Sequence, residues 1–175
     1  MALSSRTRVV VTDANVLINL IHAGRLDLLS ALTGYEFVVP PEVEAEVSVP
    51  EQADELALAF EAGHVERLSF SDTSELEVYA ELVQMVGRGE AACLAMAQVR
   101  GWYVASDERR RFLRLARERL GPGRVLNTPG IFVLAIRAGL LTVEEADQDK
   151  RVLEEHRFKM RFSSFRDVLG TKPKE

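Results

Sequence analysis

Four acidic residues, Asp13, Glu46, Glu90 and Asp107, stand where the sequence changes from one kind of local structure to another. Asp13 closes the β-branched run Val9-Val10-Val11-Thr12. Glu90 opens the apolar helical stretch Glu90 to Ala97, and Asp107 follows the strand-like Trp102 to Ser106. Carboxylates drawn together out of water repel one another unless a proton or a cation joins them. Acids gathered at strand ends and helix starts therefore point to a hard divalent ion. Oxygen-only donors without a Cys/His cluster favour Mg²⁺ or Mn²⁺ over zinc. The three histidines, His22, His64 and His156, are dispersed, and the single Cys93 excludes an internal disulfide and a cysteine-rich zinc site.

Each acid also has a plainer reading. Asp13 serves equally as a turn or helix-cap aspartate before Asn15-Val16-Leu17. Asn15 can cap that helix or hydrogen-bond Asp13, which would orient a metal-binding carboxylate. A glutamate in a first helical turn is favoured by the helix dipole. Glu90, however, falls on one stripe with Leu94 and Ala97, over the apolar face. In Pro41-Glu42-Val43-Glu44-Ala45-Glu46-Val47, Val43 and Val47 face inward. Glu44 and Glu46 then flank that face almost symmetrically, and Glu42 points further away. Periodicity does not choose between Glu44 and Glu46. Asp107 reads alternatively as the N-cap of the arginine-rich helix that follows.

The elements that must position these acids alternate. Strands are expected near 9–11, 37–39, 64–70, 102–105 and 124–126. Helices are expected over 15–23, 26–32, a short piece from Pro41, 52–62, 72–86, 90–99, 109–120, 131–138 and 142–155. Residues 161–169 read as a short strand or helix. Gly87-Arg88-Gly89 reads as a helix break, and Thr142 with Glu145 is a capping-box pattern. Alternation of this kind predicts a three-layer α/β/α sandwich around a mostly parallel sheet. Ligands of such sheets bind beyond the carboxyl ends of the strands, where Asp13 and Asp107 fall. At 175 residues the chain suits one domain, taken as 1–170 with a frayed tail over 171–175.

Apolar residues make up 47% and charged residues 28%, as in an ordinary globular fold. The first residues lack the apolar core of a signal peptide, and no apolar stretch is long enough to cross a membrane. The expectation is a cytoplasmic chain with no membrane partner. A net charge of −5 argues mildly against nucleic acid. Charge is local, though: residues 109–119 hold six arginines and one acid, Glu118. Phe112, Leu113, Ala116 and Leu120 define the buried side of that helix. Arg110, Arg114 and Arg117 line one flank, where they can steer phosphates towards Asp107 or simply face solvent. Trp102 and Tyr103 could stack on bases, but packing in the strand is the simpler role. Phe158-Lys159-Met160-Arg161-Phe162 reads as packing or interface, with packing the simpler role.

In order and spacing the chain resembles the PIN-domain nucleases. The resemblance is carried by Val9-Val10-Val11-Thr12-Asp13-Ala14-Asn15-Val16-Leu17-Ile18, Val38-Val39-Pro40 with Val43-x-x-Glu46, Gly87-Arg88-Gly89-Glu90-Ala91-Ala92 and Ala105-Ser106-Asp107. It covers roughly residues 8–138. Asn127-Thr128-Pro129-Gly130-Ile131 and Ala135-x-x-Ala138-Gly139-Leu140 look like the prokaryotic subgroup of VapC-type toxins. The resemblance implies a Mg²⁺- or Mn²⁺-dependent ribonuclease with Asp13, Glu90 and Asp107 as metal ligands. By its Val-x-x-Glu pattern it favours Glu46 as the fourth catalytic acid, with Asn15 and Ser106 supporting the ligands. It implies 5′-phosphate and 3′-hydroxyl products, RNA as substrate, a small antitoxin covering the acidic site, and a homodimer. Many relatives carry an Asp-Asp pair where this chain has Ser106-Asp107 or Asp107-Glu108. Three other readings compete: a catalytically silent module that binds RNA or protein, a phosphotransfer domain, and a dinucleotide enzyme. Asp13-Ala14-Asn15 lacks the second aspartate of a phosphotransferase, and no Gly-x-Gly-x-x-Gly follows the first strand.

Overall fold

Arg8–Thr12 forms β1, the middle strand of the sheet, because its valines must be covered on both faces. Val10 and Val11 are fully buried. The computed structural model describes residues 7–170, so the tail expected to fray lies outside the described residues. Five strands run in the order β3-β2-β1-β4-β5: β2 is Tyr35–Val39, β3 Glu66–Arg67, β4 Tyr103–Ala105 and β5 Val125–Leu126. Every pairing is parallel, with Val11 opposite Val38 on one side and Val104 on the other. The whole sheet thus presents its carboxyl ends along one edge.

Helices cover both faces and complete the expected three-layer α/β/α sandwich. In chain order they are α1 (Ala14–Ala23), α2 (Leu28–Ala31), α3 (Pro41–Glu46), α4 (Pro50–Glu61), α5 (Thr73–Leu82), α6 (Arg88–Arg100), α7 (Arg111–Leu120), α8 (Thr128–Arg137), α9 (Val143–Glu155) and α10 (Phe165–Leu169). α6 packs on β1 and β4 between α5 and α7, while α1 gathers α4, α8 and α9. From Ala91 to Ala97 every residue of α6 is fully buried.

Several boundaries differ from expectation, each for a local reason. Only Glu66 and Arg67 of the stretch 64–70 pair as a strand, at the sheet edge. α4 starts at Pro50 rather than at residue 52, since a proline's missing N–H costs nothing at a first helical position. The helix break falls earlier than Gly87-Arg88-Gly89: α5 ends at Leu82 and α6 starts at Arg88. Gly87 is the N-cap of α6, and Glu90 reaches back to the Gly87 N–H. The arginine helix begins only at Arg111, after Arg110 takes a strained φ of 47°. Residues 161–164 join no helix or strand, and α10 starts at Phe165. Among the described residues no helix is long and apolar enough to cross a membrane.

Candidate active site

The carboxyl edge of the sheet brings Asp13 and Ser106 side by side. The Asp13 N–H donates to Ala105 O and the Ser106 N–H to Leu126 O, each at 2.9 Å, which extends the ladder one residue past the strands. Asp13 is 2% exposed. Its Oδ1 accepts from the Ala14 N–H at 2.9 Å, so it does cap α1. Its Oδ2 accepts from Ser106 Oγ at 3.2 Å. Two acceptor bonds do not repay its burial. Desolvation, with the charges of Glu46 and Glu90 added, pushes its pKa up to about 7.

Glu46 and Glu90 sit at the amino end of α6. Glu90 Oε2 accepts from the Gly87 N–H at 2.8 Å, and Glu46 Oε1 accepts from the Gly89 N–H at 2.8 Å. Both carboxylates thus rest on orphan amides of one helix terminus. Burial first, then Glu108 and Glu46, raise the pKa of Glu90, while Arg111 opposes them. The pair Glu44 and Glu46, left open by periodicity, diverges in space. Glu44 makes a bidentate pair with Arg67 on β3. Glu46 alone turns to α6. The closeness is tight enough that a Cβ on Gly89 would stand 2.7 Å from both Glu46 oxygens.

Asp107 lies at the same edge but is otherwise engaged. Its Oδ1 accepts from the Thr128 N–H at 2.8 Å, and its Oδ2 from Thr128 Oγ1 and, at 2.9 Å, from Asn19 Nδ2. It does not cap the arginine helix, whose N-cap is Arg110; it holds the start of α8. Burial raises its pKa against these donors and the charge of Arg109. Asn15 does not touch Asp13 as expected. Its Oδ1 accepts from the Asp107 N–H at 3.2 Å, and its Nδ2 donates to Glu108 Oε1 at 3.3 Å.

Three further residues were not singled out by their positions in the sequence. Glu108 is the acid of this loop whose charge reaches Glu90. Alternation in an extended loop turns neighbours to opposite sides, and only the fold says which side faces Glu90. Glu42 does not simply point away: its Oε2 is buried without a hydrogen-bond partner, and its charge helps push the Cys93 thiol well up. Arg111 is the basic residue whose charge reaches Glu90. Of the three arginines expected on the phosphate flank, all are exposed, and Arg110 lines a cavity shared with Asp107. Trp102 and Tyr103 sit at the opposite end of β4, under Arg100 and Arg124 at 4.7 Å each.

Asp13, Glu46 and Glu90, with Glu108 beside them, are an oxygen-only set. A buried carboxyl poised near neutrality and an orphaned buried oxygen on Glu42 fit a hard divalent cation. Among the described residues no three His, Cys, Asp or Glu side chains already close on one point as a ligand group. Glu46 and Glu90 each spend one oxygen on an α6 amide and keep the other for an ion.

A family model described as a PIN domain matches residues 9–166. No curated protein matches the chain.

Proposed function

The chain belongs to the PIN-domain family, and from that premise we propose that it is a metal-dependent endoribonuclease acting as a single domain. PIN domains are nuclease-type enzymes that use divalent metal ions. The observation that carries the reading is Asp13: a carboxyl buried at a strand end and held near pKa 7 by its own burial and two neighbouring acids. In this reading Asp13, Glu46, Glu90 and Glu108 hold Mg²⁺ or Mn²⁺. When bound, the ion supplies Lewis acidity that lowers the pKa of a water and offsets charge on the scissile phosphate. Ser106 fixes the Asp13 carboxylate through Oδ2, and Asn15 fixes Glu108. Asp107, the third ligand by resemblance, anchors the loop through Thr128 and Asn19. Arg110, Arg114 and Arg117 meet the RNA backbone. The finer setting is a cytoplasmic, self-associating toxin restrained by a small antitoxin over the acidic edge.

Cleavage of single-stranded RNA with millimolar Mn²⁺ tests this directly. Asp13→Asn and Glu90→Gln should each lose at least 100-fold in rate, the scale of removing a group that acts in the transition state. Equal cleavage by wild type and both variants would sink the assignment.

A second reading has its own observation. Ser106 puts a hydroxyl, not an acid, against Asp13, and both oxygens of Asp107 are already bonded. A PIN-like module that binds RNA or a protein without cutting is consistent with that. RNA binding with no Mn²⁺-dependent turnover would favour it.

A further inference from the structure

The chain after α9 forms a wall beside the acidic edge. Arg157 ends the helix at φ 66°, with the Phe158 N–H bonded back to Leu153 O at 2.9 Å. At the far end Asp147 accepts from Ser164 Oγ at 2.6 Å and from the Phe165 N–H at 2.8 Å. Phe165 is fully buried against Phe132, and Phe162 stands edge-on to it at 5.0 Å. Between these two anchors the side chains alternate. Phe158, Met160 and Phe162 are half-buried against the core, while Lys159 and Arg161 are exposed. Opposite them stand Arg109 and Arg110, also exposed, from the loop that leads into α7. Among the described residues none of these four cations makes a salt bridge.

The two walls enclose a cavity of about 620 Å³ that Asp107, Glu108, Phe158 and Phe162 also line. A second cavity of about 560 Å³ continues from Phe158 and Lys159 past Asp107 to Asn15 and Asn19. The two cavities share Asp107, Glu108, Arg109, Phe158 and Lys159, so a cationic, aromatic mouth opens onto the loop that carries Asp107 and Glu108. Packing alone explains the three apolar residues. It does not explain why every exposed position between them is a cation, facing further unpaired cations.

We propose that the cleft between Arg109-Arg110 and Phe158–Phe162 is the binding path for single-stranded nucleic acid, with Lys159 and Arg161 on its phosphates and Phe158 under a base. Cations tracking a backbone with aromatic faces between them are what an unpaired strand requires. A duplex hides its base faces and gains nothing from Phe158. The assignment rests on the nuclease reading for what the strand is delivered to, but binding and cleavage separate experimentally.

Anisotropy of a fluorescein-labelled 12-nucleotide RNA without self-complementarity, measured in EDTA, reads binding with no turnover. The double variant Lys159→Glu/Arg161→Glu should bind at least tenfold more weakly at 50 mM salt. Its plot of log affinity against log salt should be shallower by about 1.4, the loss of two single-strand phosphate contacts. Arg124→Glu/Arg137→Glu makes the same charge change away from the cleft and should stay within twofold of wild type. Phe158→Leu keeps an apolar side chain and should weaken binding three- to tenfold with an unchanged salt slope. The path is overturned if the Lys159/Arg161 variant binds like wild type, in which case the wall is a protein-docking face, or if the control falls equally. A duplex that competes as well as the single strand overturns the unpaired-strand assignment. Intact binding with no Mn²⁺-dependent cleavage leaves the path standing and removes the nuclease.

Discussion

Ionised Asp13 works against the fold that contains it. Its carboxyl is held near pKa 7, so between about pH 4 and 7 the folded chain binds a proton that the unfolded chain has released. The sign follows: this residue's contribution favours folding below that window and is lost as pH rises through it. Above pH 7 the cost is on the order of 4 kcal/mol if no cation offsets it. Asp13→Asn removes the charge and keeps an oxygen for the Ala14 N–H. In EDTA the variant should melt higher than wild type at pH 8 and by a much smaller margin at pH 5. A variant no more stable at pH 8 would show that the burial cost is already met elsewhere. Residue types alone revealed this much of the site: Asp13 at a strand end and Glu90 at a helix start are local signals. They did not separate Glu44 from Glu46, because six residues of helix flanking Val43 and Val47 present both acids alike. The separation comes from Arg67, 23 residues away, which claims Glu44. Asp107 is the acid singled out by position and Glu108 is not, since the bonds that engage Asp107 come from Thr128 and Asn19 in distant parts of the chain.

The first turn of α6 is where two of the acids are stored. Gly89 lies inside that turn because only a residue without Cβ lets the Glu46 carboxylate approach its N–H. Gly89→Ala should therefore displace Glu46 without harming the helix. The clash is with the end of a flexible side chain, and alanine favours helix over glycine by about 1 kcal/mol. Melting in EDTA should stay level or rise, while Mn²⁺-dependent cleavage falls at least tenfold. Unchanged cleavage would remove Glu46 from the site. The same helix shows where periodicity fails. Glu90, Leu94 and Ala97 do form a stripe, but residues 91–97 are buried on every side, so no stripe of α6 marks a solvent face. The Glu75–Arg100 ion pair, which ties α5 to the far end of α6, is likewise invisible to local pattern. By contrast β1, β2 and β4 were legible as apolar runs, which a sheet covered on both faces requires. β3 was overread because two pairing residues carry too little pattern to define an edge strand.

An all-parallel sheet collects every strand's carboxyl end on one side of the molecule, and this chain puts its costs there. Asp13, Glu46, Glu90 and Glu108 sum their charge at that edge, within a chain whose net charge is already −5. A proton and a divalent cation are alternative ways to relieve the same repulsion, so they must compete. At pH 5.5 Asp13 is mostly protonated and an ion has to displace that proton; at pH 8 the ion meets carboxylates that are already charged and destabilising. Thermal stabilisation by Mn²⁺ should consequently be larger at pH 8 than at pH 5.5, and binding near pH 6.5 should release protons into a weakly buffered solution. At an ion concentration 100 times the dissociation constant, linkage gives about 2.7 kcal/mol. For a chain of this size that corresponds to a rise of roughly 5 to 10 °C. Asp13→Asn, which lacks the most strongly raised carboxyl, should show a smaller rise and a weaker dependence on pH. Equal stabilisation of wild type at both pH values would mean that the ion binds where no carboxyl titrates, away from the edge that the sheet has assembled.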